Sequence, residues 1–142
     1  MVLDIARAFF HADINGVLQP RRQRRFFAIV DGFIAGEGNG PMAPGPRQEG
    51  IVMAGQDPVA LDWTAAQLMG FDPQAIKLIA GAAARHRLPI GSSERITLET
   101  NCVEWKDGIS PERSLRFLPP NYWDSIVAWK KENSEPKQDQ EN

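Results

Sequence analysis

Apolar residues recur at helical spacing at the start of the chain. Val2, Ile5, Ala6, Phe9 and Phe10 fall on one face, with Asp4, Arg7 and His11 off it, which predicts an amphipathic helix over residues 2–14. Asn15-Gly16 supplies its stop, since both residues tolerate the left-handed conformation at a helix end. The helix starts at Met1 with no capping residue before it, although its first N–H groups need partners. Phe26 to Val30 is a continuous β-prone run, and Ile51 to Ala54 a shorter one. Runs without a polar face predict strands of a parallel sheet covered on both sides. Asp57 then reads as an N-cap with Pro58 at the first helical position. The helix it opens is apolar nearly all round to Met69 and ends at Gly70. Phe71-Asp72-Pro73 repeats the device, and a second helix is expected to about Arg87, with Ile76, Ile79, Ala80 and Ala83 apolar. Leu88 to Ser93 reads as a turn. Arg95 to Thr100 alternates apolar and polar residues, the period of a half-buried strand; Val103 to Trp105 extends it or begins another. Pro119-Pro120 stiffens a connector, and Tyr122 to Lys130 predicts a short helix. Together these predict one α/β domain over residues 1–131, three layers deep, with a mostly parallel sheet of about four or five strands and flanking helices. Residues 132–142, polar save Pro136, read as a disordered tail.

Composition narrows the class. The chain has 142 residues, enough for one domain with a sizeable core. Hydrophobic and charged contents of 42% and 24% are those of an ordinary globular protein. A net charge of −2 gives no overall attraction to nucleic acid or anionic lipid. Four arginines between Pro20 and Arg25 read as a solvated connector, because no aromatic residue interleaves them to stack bases. No apolar run approaches the ~20 residues of a membrane span, and the acidic N-terminal stretch is unlike a secretory signal. The expected compartment is the cytoplasm. Cys102 is the one cysteine, so this chain alone holds no iron–sulfur or zinc cluster by thiolates. His11 and His86 have no partner at ligand spacing, and the four tryptophans read as packing anchors.

Candidate chemistry concentrates between Asp31 and Asp62. An acid at the carboxyl end of a buried parallel strand stands where open α/β sheets bind ligands. Asp31-Gly32 fits that position. Gly36, Gly38 and Gly40 then alternate with Glu37 and Asn39. The glycines let the backbone take positive φ and approach a ligand, and successive N–H groups in such turns can cradle an anion. The stretch 31–46 thus reads as a Gly-rich binding loop, although it matches neither the dinucleotide fingerprint nor the P-loop. Asp57 is accounted for by capping. Asp62 sits inside an apolar helix, where a carboxylate needs a partner such as Arg47, a backbone N–H or a cation. Asp31, Glu37 and Asp62, with the Asn39 carbonyl, suit a hard cation such as Mg2+; a structural hydrogen-bond network is the equal alternative.

The blocks Val30-Asp31-Gly32, Glu37-Gly38-Asn39-Gly40-Pro41, Gly50, and Asp57-Pro58-Val59-Ala60-Leu61-Asp62 through Met69-Gly70 resemble the domain-of-unknown-function family 362, some of whose members are labelled iron–sulfur centre proteins. The resemblance runs over roughly residues 1 to 130, more loosely after Glu104. It implies an α/β domain with a site at Asp31, Glu37, Asn39, Asp57 and Asp62, but no defined reaction. Ferredoxin-type cysteine clusters found in some members are absent here, so that part of the label does not transfer. By the same resemblance, residues 1–7 look like an internal stretch of larger members. The expectation is therefore the C-terminal half of a family member, with a missing N-terminal region or self-association covering its apolar faces.

Two functions follow as expectations. In the first, loop 31–46 and the helix start at 57–62 bind a small anionic ligand, a divalent cation, or both. Glu37 or Asp31 would then be general base, Gly36, Gly38, Asn39, Gly40, Asp57 and Asp62 would bind, and the reaction stays open. In the second, the acids are structural and the chain is a non-catalytic interaction domain. A redox-partner role ranks third, for want of cysteines.

Overall fold

The computed structural model describes residues 1–129. The elements run α1 (Val2–His11), β1 (Ala28–Asn39), β2 (Ala43–Gly55), α2 (Pro58–Met69) and α3 (Lys77–Ala83), followed by three single-turn 3-10 helices at Val103–Trp105, Pro111–Arg113 and Asp124–Ile126. The expected tail at 132–142 lies outside the described residues.

The sheet corrects the expected fold class. Among the described residues it has two strands, paired antiparallel from Ala28↔Gly55 to Asn39↔Ala43, not four or five parallel ones in three layers. The stretch 31–46 is not a loop: β1 continues through the glycines to Asn39, and the chain reverses at Gly40, Pro41 and Met42. Asn-Gly between two β-prone segments is a strong hairpin signal, and it outweighs the parallel-sheet pattern of the apolar runs. Those runs are not enclosed. Ile29 is 66% exposed and Ile34 69%, with Phe33 and Val52 also open to solvent. A bulge interrupts the ladder, where Glu49 and Gly50 oppose Phe33 alone. Gly50 adopts φ 65° there, a conformation that suits glycine.

α2 holds the molecule together. Asp57 Oδ1 accepts the N–H groups of Val59 (2.8 Å) and Ala60 (3.2 Å) at its N-terminus. Gly70 ends it at φ 88°, while the Phe71 N–H reaches back to the Ala66 carbonyl at 2.8 Å, the hydrogen-bond pattern of a left-handed C-terminal cap. Its apolar residues serve two clusters. One gathers Ala66, Phe71, Phe117, Ile126 and Val127; the other gathers Phe10, Val59 and Ile90, with Leu3, Ala6 and Phe26 packed alongside. Residues 115–128 strap the first cluster. Leu115 and Phe117 donate to the carbonyls of Leu68 and Met69 (both 2.8 Å), and Asp72 N–H donates to Ile126 O (2.6 Å).

Three further expectations are corrected. The helix expected over 73–87 is reduced to α3, because the chain turns at 73–76 before it can coil. The helix expected over 122–130 shrinks to one 3-10 turn over the described part, as the segment spends its N–H groups on Gly70 O and its own turn. The strand expected at 95–100 keeps its alternation: Ile96, Leu98 and Thr100 are partly covered while Thr97 and Glu99 are exposed. It has no strand beside it, so no ladder forms.

Candidate functional site

The hairpin end and α2 meet around a cavity of about 380 Å³. Gly36, Glu37, Gly38 and Gly40 line one side and Asp62, Ala66 and Met69 of α2 another; Ile76, Leu118 and Trp123 complete the wall. The two stretches singled out in the sequence therefore converge, although one is a strand. Glycine matters at Gly36, where a Cβ would press to 3.0 Å from the Pro44 side chain across the hairpin.

Most candidate polar groups are already engaged by the chain itself. Glu37 Oε2 accepts Arg47 Nη1 at 3.0 Å and the Leu118 N–H at 2.9 Å. Asn39 Oδ1 accepts the Asn121 N–H at 2.9 Å, and Gly38 N–H donates to Leu118 O at 2.9 Å. Glu37 and Asn39, without a visible duty in the sequence, thus lash the hairpin to residues 118–121. Asp57 adds the Ser92 N–H (3.0 Å) to its two helical donors. Asp31 Oδ1 accepts the Phe33 N–H at the bulge, 3.1 Å away. A hydrogen bond of this kind contributes roughly 1 kcal/mol, more where a charge is involved.

Asp62 differs from both the other acids and its expected setting. It is solvent-exposed at the cavity rim, not enclosed in the helix core; α2 turns this one polar side chain away from both clusters. Partial desolvation against the apolar wall raises its carboxyl above the ordinary value. Glu37 and Asp62 both border the cavity, but Asp31 is on the strand outside it. Among the described residues no three His, Cys, Asp or Glu side chains gather as a metal site. Among the described residues the cavity lining contains no Lys or Arg.

Two residues have structural roles other than the sequence suggested: Arg47, a candidate partner for Asp62, pairs with Glu37 and Glu49 instead, and His11, off the apolar face of the first helix, is enclosed. Arg47 holds Glu37, places Nε 2.7 Å from Glu49 Oε1, donates through Nη2 to Leu115 O at 3.0 Å, and lies 4.3 Å above the Phe117 ring. His11 is fully buried, with Nδ1 2.9 Å from Gln19 O and Nε2 3.1 Å from Pro89 O. The available signal was weak, since only a buried position distinguishes such a histidine from a surface one. The basic connector also has a partial structural use: Arg24 caps the α1 carbonyls of Phe9 and Ala12, and Arg22 lies 4.2 Å over the Phe10 ring.

The model of the family described as Domain of unknown function (DUF362) matches residues 1–67. That segment contains every candidate site residue but not the strap. The thylakoid-associated protein sll1697 of Synechocystis is 33% identical over 88 residues, covering 62% of this chain and 24% of the relative. The match thus spans about a quarter of that relative's length. No solved structure matches the chain significantly. Among the described residues, no helix is long and apolar enough to cross a membrane.

Proposed function

We propose that this chain, a DUF362 family member through residues 1–67, binds a compact, mainly apolar small molecule in the cavity between the hairpin end and α2, with a cationic or hydrogen-bond-donating group of the ligand directed at Asp62. The observation that carries this reading is Asp62 itself, a carboxylate at the mouth of an apolar cavity with a raised proton affinity. The volume of about 380 Å³ falls in the small-ligand range of ~300–1,000 Å³. The lining charge favours a cation or donor over the small anion expected from the glycines. The family resemblance supports a site at these positions without naming its ligand.

Calorimetric titration of benzylamine, benzyl alcohol, benzoate and MgCl2 into the protein tests it. The amine is expected to bind about fivefold more tightly than the alcohol, the equivalent of about 1 kcal/mol for a rim ion pair. Asp62→Asn should remove that preference while leaving alcohol binding in place. Equal binding of all three ring compounds, or tightest binding of benzoate, would defeat the reading. Binding of Mg2+ lost on Glu37→Gln would favour the cation version.

A second reading, a non-catalytic interaction segment, is favoured by a different observation. Asp31, Glu37, Asn39 and Asp57 spend their acceptors on the chain's own N–H groups, while apolar side chains of both strands face solvent. Exposed apolar area of this kind marks contact surfaces.

A further inference from the structure

A second and larger cavity, about 760 Å³, lies on the other side of β2. Its walls are unusual. Residues Gly50 to Asp57 line it consecutively, as do Ile96 to Asn101 opposite, with Ala60, Leu61, Thr64 and Leu68 of α2 among the rest of the lining. Side chains of a strand alternate between faces, so a wall made of consecutive residues is a strand's edge, not its face. This is the edge of β2 turned away from β1, and no other strand occupies it among the described residues.

The opposite wall is the segment with strand periodicity and no ladder. Its burial alternates along Ile96, Thr97, Leu98, Glu99 and Thr100. Yet no main-chain group from Arg95 to Asn101 bonds to another main-chain group among the described residues. Two unpaired main-chain edges thus face one groove, each with the periodicity of a strand. An unpaired edge is a template for a further strand.

The proline pattern limits where such a strand can sit. Pro44 and Pro46 lack the N–H a ladder needs and share one side of β2, so the half nearest the turn is blocked. Beyond the bulge, residues 50–55 contain no proline. Six residues of strand span about 20 Å at ~3.3 Å each, which sets the length of the occupant.

We propose that the groove between β2 residues 50–55 and residues 96–101 receives one extended, proline-free β-strand of five or six residues, with alternating apolar side chains directed at α2, supplied by polypeptide of the kind that longer family members carry outside the segment matched here. This rests on the interaction reading and names its occupant. That source is favoured because the matched 88 residues make up 24% of the Synechocystis relative, leaving about three quarters of its chain to supply further strands. The mode is strand addition, in which main-chain hydrogen bonds supply affinity and alternate side chains supply selection.

The test uses the intact 142-residue chain and overlapping twelve-residue peptides tiling the portion of the relative outside the match, with amide hydrogen exchange as readout. One peptide of alternating pattern is expected to slow exchange at least tenfold on both walls, in 51–55 and in 96–101 together. Thr97→Pro and Leu98→Pro provide the control. Neither position makes a main-chain bond among the described residues, so both variants should keep the wild-type melting profile, and at least one should lose the peptide effect. Protection confined to the exposed β1 face would leave the interaction reading standing and overturn the groove. Protection of the groove that rises with protein concentration and needs no peptide would assign it to a second copy and overturn the proposed occupant. No protection by any peptide would overturn it outright.

Discussion

Replacing Arg47 removes the fastening between the hairpin and the strap. The guanidinium meets two carboxylates, at 3.0 Å for Glu37 and 2.7 Å for Glu49, two carbonyls, Leu115 O at 3.0 Å and Arg116 O at 3.4 Å, and one aromatic ring at 4.3 Å. Its side chain is 26% exposed and those of its acidic partners 19% and 13%, so solvent weakens the pairs without dissolving them. A hydrogen bond from a charged donor contributes about 1.5–3 kcal/mol. A partly exposed ion pair contributes up to about 1 kcal/mol, and the ring contact about 0.5–1 kcal/mol. Taking the low end for the hydrogen bond and the ring contact and the full ion-pair figure, Arg47→Ala should cost about 3 kcal/mol. Arg47→Lys keeps a point charge but loses the planar fork that serves several acceptors at once, and should cost about 1.5 kcal/mol. Urea unfolding followed by tryptophan fluorescence measures both. With a slope near 2 kcal/mol per molar, the alanine midpoint should fall by about 1.5 M. Exchange at the Gly38 and Leu118 amides should also quicken more than exchange within α1, because only the former lie at the fastening. An alanine variant within about 0.5 kcal/mol of wild type, with unchanged exchange at Gly38 and Leu118, would refute the reasoning.

Two further outcomes follow from the helix and the cavity rim. A methyl group added at Gly91 would lie 2.0 Å from Asp57 Oδ1 and 2.8 Å from Val59 Cβ. Gly91→Ala should therefore evict the α2 cap and cost about 3 kcal/mol, as overpacking and cap loss combine, whereas Asp57→Asn should cost under about 1 kcal/mol; thermal melts of the two variants check the contrast. The raised Asp62 carboxyl makes the folded state hold its proton more tightly than the unfolded chain does. Its contribution is thus most favourable below the ordinary carboxylate value and falls as pH rises through the folded value. Asp62→Asn should be at least as stable as wild type at neutral pH, and urea midpoints measured across the acidic range should converge as pH falls; a variant clearly weaker at neutral pH would contradict the assigned setting.

How legible each element was depends on where its determinants lie. α2 could be read to the residue, since Asp57, Pro58 and Gly70 are local instructions that act within one turn. The sheet could not. Apolar runs at 26–30 and 51–54 are compatible with enclosure on both faces or with a partly open hairpin, and only the pairing of residues far apart decides. The Asn39-Gly40 turn and Gly50 at the bulge were the local clues to that pairing. They were outweighed because alternating glycines beside acids also describe a ligand loop. For the same reason the contacts of Glu37 and Asn39 were not legible: their partners lie about eighty positions away, at 118 and 121, which no short-range pattern contains. Asp62 could be read as an acid in a largely apolar helix, while its orientation toward the rim depended on how α2 is rolled between two clusters.

Those distant partners also order events during synthesis. The hairpin, complete by Gly55, is tied down by groups at Leu115, Leu118 and Asn121 that are made sixty or more residues later. Closing so long a loop carries an entropic cost that local turns do not, and a lone two-stranded hairpin is marginal in water. On a growing chain, then, α2 and its caps can form as soon as they emerge, whereas the sheet waits for the strap. A nascent chain stalled short of Leu115 would carry α2 beside an unanchored apolar hairpin, which makes residues 115–121 the timing element of its folding.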